Sequence, residues 1–377
     1  NNLLTRGELA VWIAKAFDLK GSTEIHFTDV PAKHKDLIGA VILYDIADGI
    51  SETKFGYSQR VSLSEFLTML QSAIKAPDYQ LRVLHVNDTH ANIENTPRQI
   101  SAIYDHRKGN TNNLLLHAGD VFSGTLYFNE FKGLADLELM NLAGFDAMTF
   151  GNHEFDLGSE ALAPFVQKAQ FPFVSANVDF SADTLMKNLE LNTYTNKPKN
   201  GKIYDGIIKN VNGEKVGIFG LTTAETASIS SPGDVKFDDY ISSAKASVKA
   251  LKKQGVDKII ALTHIGYNDG GGDNDLELAN QVEGIDVIVG GHSHSQLDKP
   301  VVVEKYKEPT VIVQANEYSK FLGELDVSFD KKGKVIAYEG ELISVDAKNT
   351  DGSYIFADDP VAAQILAKYK PIVDAKK

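Results

Sequence analysis

Short apolar runs that end abruptly in glycine, carboxylate, amide and histidine recur through most of this chain. Runs at 81–86, 113–118, 147–150, 258–262 and 285–289 are the length of buried strands, and each is followed at once by such a polar cluster. Further strands are predicted at 171–178, 216–221, 311–315, 325–329 and 335–338. A helical period runs over 241–254, and another helix opens near Ser159. Strands alternating with helices predict an α/β fold whose ligands lie where the strands end.

The two ends of the chain have a different pattern. Leu9, Trp12, Ile13, Ala16 and Phe17 follow a helical spacing behind Thr5, a predicted N-cap. Phe66, Met69, Leu70 and Ile74 repeat that phase behind Ser62, with a further helical stretch over 37–46. An all-α region over 1–76 is therefore expected, with a linker at 77–80 around Pro77 and an α/β body over 81–355. After Asp359-Pro360, the positions Val361, Ile365, Leu366, Tyr369 and Ile372 predict a last helix within 356–377.

Composition narrows the partners. Hydrophobic residues make up 43% and charged residues 24%, and the formal net charge is −13. That balance argues against a nucleic-acid duplex or an anionic membrane surface. No apolar run is long enough to span a bilayer, and no cysteine is present, so thiolate metal ligands are excluded. The first residue is Asn1 rather than methionine, so an upstream segment such as a signal peptide is expected to have been removed.

The polar clusters carry the candidate chemistry. They are Asn87-Asp88-Thr89-His90, Gly119-Asp120, Gly151-Asn152-His153-Glu154-Phe155-Asp156, Thr263-His264 and Gly290-Gly291-His292-Ser293-His294. Each alone reads equally well as a turn or a helix cap. All five at strand ends together form a nitrogen-and-oxygen donor set, suited to zinc, manganese or iron rather than calcium. Asp88 and His90 can share one metal, Asp120 can bridge two, and Asp156 can hold the His153 ring in one tautomer. His26, His34, His85, His106 and His117 are assigned to structure or surface, and the 268–273 loop after His264 is expected to be mobile.

In their order and spacing these motifs resemble the calcineurin-like metallophosphoesterases, and specifically their 5′-nucleotidase branch, over roughly residues 80–350. The resemblance implies a four-layer α/β/β/α sandwich. It implies Asp88, His90, Asp120 and His294 around a first divalent metal, and Asp120, Asn152, His264 and His292 around a second. His153, oriented by Asp156, becomes the transition-state stabiliser or leaving-group acid. Some family members carry glutamine where His294 stands. The implied activity is release of phosphate from nucleoside 5′-phosphates. The alternatives are a 2′,3′-cyclic-nucleotide phosphodiesterase, a nucleotide-sugar hydrolase, or an inactive binding module.

The first 76 residues resemble part of an S-layer homology domain, through Thr5-Arg6-Gly7-Glu8, Phe27-Thr28-Asp29-Val30-Pro31 and His34. That family anchors bacterial surface proteins to secondary cell-wall polysaccharide. The resemblance makes Arg6 the glycan-contacting residue and places the protein outside the cell, at the wall. Leu63 stands where the second copy's arginine belongs, and Lys35 replaces an aromatic. In the 5′-nucleotidase branch a helix like that at 356–377 leads to a C-terminal nucleotide-binding domain, which is expected to be missing from this chain. No arginine follows Arg107, and no aromatic pair is evident beside the motif loops. Generic phosphate esters are therefore the expected substrates, with little discrimination among bases.

Overall fold

A computed structural model describes residues 4–268 and 272–377. Two seven-stranded sheets form the body. In the first, the spatial order is Val335–Ser344, Phe321–Phe329, Tyr79–Val86, Asn113–His117, Ala147–Met148, Phe173–Val174 and Ile203–Tyr204. In the second it is Val301–Val303, Thr310–Val313, Val287–Val289, Lys258–His264, Glu214–Thr222, Gly206–Val211 and Tyr194–Thr195. In the first sheet the strands from Tyr79–Val86 to Ile203–Tyr204 pair parallel and the other edge is antiparallel, and in the second the strands from Glu214–Thr222 to Thr310–Val313 pair parallel between antiparallel neighbours.

The strands are buried on both faces, which is why they read as unbroken apolar runs. Alternate residues then serve different cores. Leu81, Val83, Leu114 and Leu116 pack against Ile260, Leu262 and Val287, joining the sheets face to face. Leu84, Val86 and Leu115 point the other way, onto helices Thr96–Lys108, Leu134–Ala143, Gly158–Lys168 and Pro360–Asp374. Ile259, Ala261 and Phe219 cover helices Tyr240–Lys253 and Asp275–Gln281. The layers are helix, sheet, sheet, helix, as the motifs imply.

Several elements differ from expectation. The run at 171–178 forms two separate strands, Phe173–Val174 and Val178–Asp179, which lie in different sheets. Between them the Ser175 amide donates to Tyr204 of the first sheet and the Ala176 amide to Gly220 of the second, so the chain crosses between sheets there. Gly206–Val211 and Val301–Val303 were not evident from the pattern; they are short and lie at or next to a sheet edge. Asp269, Gly270 and Gly271, within the loop expected to be mobile, lie outside the described residues.

The N-terminal helices Arg6–Ala16 and Leu63–Lys75 both begin with a capping box, Thr5 with Glu8 and Ser62 with Glu65. They pack with Lys35–Leu43 around Leu9, Ile13, Ile38, Val41, Phe55 and Met69. The last helix, Pro360–Asp374, lies on the body: Ile365 and Val373 are buried, and Tyr369 donates to Glu138 at 2.6 Å.

One buried group has a consequence for stability. Asp136 is 3% exposed and borders a cavity of about 30 Å³ shared with Gln99, His117 and Ser319, room for about one water. Burial pushes its carboxyl up to about 8, with nearby Glu154 adding to the effect. The unfolded chain ionises this carboxyl near 3.8 while the folded chain keeps its proton, so stability falls as pH rises between those values. Asp136→Asn is expected to raise the melting temperature by about 4 °C or more near pH 8.5 and to change it little near pH 4, in a thermal melt of each variant.

Candidate metal centre

The five polar clusters converge at the carboxyl edge of both sheets. Asp88 and His90 follow strand Tyr79–Val86, Asp120 follows Asn113–His117, and Asn152 and His153 follow Ala147–Met148. His264 ends its strand in the second sheet, and His292 and His294 follow Val287–Val289. Asp88, His90, Asp120, His292 and His294 all have φ between 48° and 76°, a left-handed backbone that non-glycine residues rarely adopt. That strain turns consecutive side chains toward one point. Gly151 permits the approach: a Cβ there would lie 2.1 Å from Asp120 Oδ1.

Three groups of side chains bring their donor atoms within 4.8 Å of one another: Asp88, His90 and His294; His90, Asp120 and His153; Asp120, His264 and His292. Asn152 Oδ1 lies 2.9 Å from His292 Nδ1, which adds the amide to the third group. Asp88 and Asp120 are 0% and 2% exposed. Every residue singled out in the catalytic motifs is therefore brought together.

Hydrogen bonds at Nδ1 leave the Nε2 atoms of three histidines turned toward the centre. His90 Nδ1 donates to the Phe122 carbonyl at 3.1 Å, and His294 Nδ1 to the Glu317 carboxylate at 2.5 Å. Their Nε2 atoms then lie 3.2 Å apart, with that of His294 also 3.3 Å from Asp88 Oδ1. His264 Nδ1 donates to the Ala118 carbonyl at 2.6 Å, so its buried Nε2, 3.0 Å from Asp120 Oδ2, is the atom turned toward the centre. Nε2 atoms converging on Asp88 and Asp120 call for positive charge between them, which protonated imidazoles carry in the protein alone and bound divalent cations would supply.

The titration behaviour of the protein alone follows from the same geometry. Burial lowers the His264 imidazole, but Asp120 and Asp88 outweigh it and raise the pKa to about 10. Burial holds His90 below its ordinary value despite both aspartates. A hydrogen bond to Asp88, against burial, raises His294. His153, held through Nδ1 by Asp156 at 2.6 Å, is raised to about 9, chiefly by that bond.

Several supporting residues carried no spacing signal. Glu154 is fully buried and accepts the backbone amides of Asp120, Val121, Phe122 and Gly151, clamping two motif loops together. Asn87 accepts from the Ala315 amide and donates to the Asn316 carbonyl and to Asp88 at 2.6 Å. Asp156 also accepts from the hydroxyls of Ser123 and Ser230. Glu154 sits inside a quoted motif, whereas Glu317, Ser123 and Ser230 lie too far along the chain for any local pattern. His85 and His117 are buried, and burial lowers each to about 3.

Donor groups that share Asp120 at the edge of stacked α/β sheets could hold the two metals of a dinuclear phosphoesterase. Residues 81–296 match the calcineurin-like phosphoesterase family, and the chain belongs to it; its members are metal-dependent phosphoric ester hydrolases with two divalent metals. The trifunctional nucleotide phosphoesterase YfkN of Bacillus subtilis is 47% identical over 277 residues, which are 68% of this chain and 18% of that protein. The 5′-nucleotidase of Diplobatis ommata is 36% identical over 327 residues, 78% of this chain and 52% of that one. The 5′-nucleotidase precursor of Thermus thermophilus superposes with a TM-score of 0.68 at 37% identity, covering 79% of this chain and 59% of that one. This chain therefore spans about half or less of the two curated relatives.

Proposed function

We propose that this chain hydrolyses phosphate monoesters, and nucleoside 5′-phosphates in particular, at the centre just described. The carrying observation is the convergence of His90, His294 and His264 Nε2 with the buried carboxylates of Asp88 and Asp120. Asp88, His90, Asp120 and His294 would hold one metal, and Asp120, Asn152, His264 and His292 the other. Bound there, two divalent cations neutralise the phosphoryl oxygens and lower the pKa of water.

The chain supplies the remaining functions. Asp156 fixes His153 with Nδ1 as donor, leaving Nε2 toward the substrate. Water oxygen joins phosphorus as the ester P–O bond breaks, and the leaving oxygen takes a proton from His153. Sequence likeness to 5′-nucleotidases supports a nucleotide substrate. The likeness to a trifunctional nucleotide phosphoesterase favours a second reading, in which several kinds of nucleotide ester are accepted. A phosphate-release panel on nucleoside 5′-phosphates, cyclic nucleotides and nucleotide sugars, with zinc, manganese or iron, tests both. Release from 5′-monophosphates is expected. No release from any ester by metal-loaded protein would overturn the proposal.

The S-layer-like first 76 residues support an extracellular, wall-associated location, with Arg6 as the inherited glycan contact. Arg6 is already occupied, however. Its guanidinium pairs with Glu65 at 2.7 Å, donates to the carbonyls of Phe55 and Asp48, and lies over the Phe55 ring. We expect this chain to sediment weakly with purified bacterial cell walls, and Arg6→Ala to leave that sedimentation unchanged. Tight sedimentation lost in Arg6→Ala would show a working glycan site. No helix among the described residues is long and apolar enough to cross a membrane.

A further inference from the structure

Asp156 orients the candidate acid His153, yet burial does not hold its own carboxylate: its side chain is 25% exposed. Among the described residues that carboxylate accepts three hydrogen bonds, all from side chains. His153 Nδ1 donates to Oδ2 at 2.6 Å, the Ser123 hydroxyl donates to the same oxygen, and the Ser230 hydroxyl donates to Oδ1 at 2.8 Å. Glu154, two positions earlier, is fixed instead by four backbone amides. The torsion that turns an aspartate carboxylate is soft, so partners on both oxygens are needed to set its plane. Here those partners are two serine hydroxyls.

The two hydroxyls come from different sheets. Ser123 lies in the loop after Asn113–His117 of the first sheet, at φ 67° and next to Phe122, whose amide donates to Glu154 at 3.1 Å. Ser230 lies beyond strand Glu214–Thr222 of the second sheet, 74 positions from Asp156. Its loop is tied down from below. The Thr223 amide donates to the His264 carbonyl at 2.9 Å, the Thr226 hydroxyl to the Thr223 carbonyl at 2.7 Å, and the Ser230 amide to the Thr226 carbonyl at 3.2 Å. Thr223 and Thr226 are fully buried. A continuous run of hydrogen bonds therefore leads from the backbone of His264, in the metal centre, to the carboxylate that orients His153.

We infer that Ser123 and Ser230 are positioning residues: together they lock the Asp156 carboxylate, so that His153 Nε2 is held toward the leaving oxygen. The inference rests on the hydrolase reading above and deepens it. The serines act through Asp156 and do not themselves touch substrate. Ser230 has the further effect of setting the acid of the first sheet against the metal-centre residues of the second, through Thr223 and Thr226. Proton delivery is sensitive to such placement, since a shift of about 1 Å can cost about 10²-fold in rate. A leaving group that departs without a proton is indifferent to it.

The test compares kcat for AMP, whose leaving alkoxide needs a proton, with kcat for p-nitrophenyl phosphate, whose leaving group does not. Both are measured on the metal-loaded wild type and the double variant Ser123→Ala/Ser230→Ala. The AMP-to-aryl-phosphate ratio of kcat is expected to fall about tenfold in the double variant, part of the 10²–10⁴-fold range of a positioned acid. A merely structural role would lower both rates together, so an unchanged ratio overturns the inference. A second arm needs no turnover: crystal structures of the zinc-loaded wild type and double variant. Asp156 and His153 are expected in one orientation in the wild type and in turned or multiple orientations in the variant; the same single orientation in both overturns the inference. A wild type that shows the serine-held orientation yet hydrolyses neither ester would refute the hydrolase reading alone.

Discussion

Asp120→Ala is expected to lower kcat/KM on phosphate monoesters by about 10³-fold or more, since each metal contributes several kcal/mol and about 1.4 kcal/mol is tenfold in rate. Asp120 is the one carboxylate that appears in two of the three donor groups, beside His90 in one and beside His264 and His292 in the other. It is 2% exposed, and its Oδ1 also accepts the His153 amide at 2.9 Å. Removing it takes a ligand from both cations and leaves His264 Nε2 facing a void. Metal analysis of the purified variant should show loss at both sites. Two equivalents of metal with undiminished activity would remove the shared-carboxylate assignment.

The second large effect is expected at His153. His153→Ala should lower kcat by about 10²–10⁴-fold while keeping both metals, the range for a positioned general acid. Its Nδ1 is committed to Asp156, and its side chain is 38% exposed, open to substrate as a ligand enclosed by other donors would not be. The bond to Asp156, against burial, raises its pKa to about 9 in the protein alone, so it is protonated at neutral pH; neighbouring cations oppose that shift. The deficit should shrink on an aryl phosphate whose leaving group needs no proton. His153 also falls in one donor group with His90 and Asp120, so metal content decides between acid and ligand. A drop in stoichiometry in His153→Ala would make it a ligand.

These two residues depend on a frame supplied by Glu154, the neighbour of His153 in its own motif. Glu154 gathers four backbone amides from the Asp120 and Asn152 loops into a single buried carboxylate, which fixes how the bridging oxygen and the His153 amide meet. Burial and nearby Asp120 push its carboxyl up to about 7, while the Gly151 and Asp120 amides oppose that shift. Its effect on catalysis is therefore one of positioning, through the geometry of Asp120.

Much of the molecule was legible before any coordinates. The apolar runs identify the strands because a strand buried on both faces needs an unbroken run, and Leu81 to Val86 shows the alternation between two cores. The motif residues were legible because strand ends collect ligands and because a donor set of carboxylates, amide and imidazoles has few bland explanations when repeated five times. The N-cap at Thr5 was visible for the same local reason: a side chain bonding the amide three residues on leaves a short-range signature.

What only the tertiary structure decided is everything that depends on long-range proximity. Sequence makes 171–178 one strand, because nothing local says that its middle bonds two different sheets. Nor could it show that Glu65, Phe55 and Asp48 surround the Arg6 guanidinium. It could not state the ring orientations of His90, His264 and His294, since their partners Phe122, Ala118 and Glu317 are 32, 146 and 23 positions away. Nor could it place the Ser230 hydroxyl on Asp156. Hydrogen-bond direction and proximity are properties of atoms in space, and local periodicity carries no information about which distant loop will supply the partner.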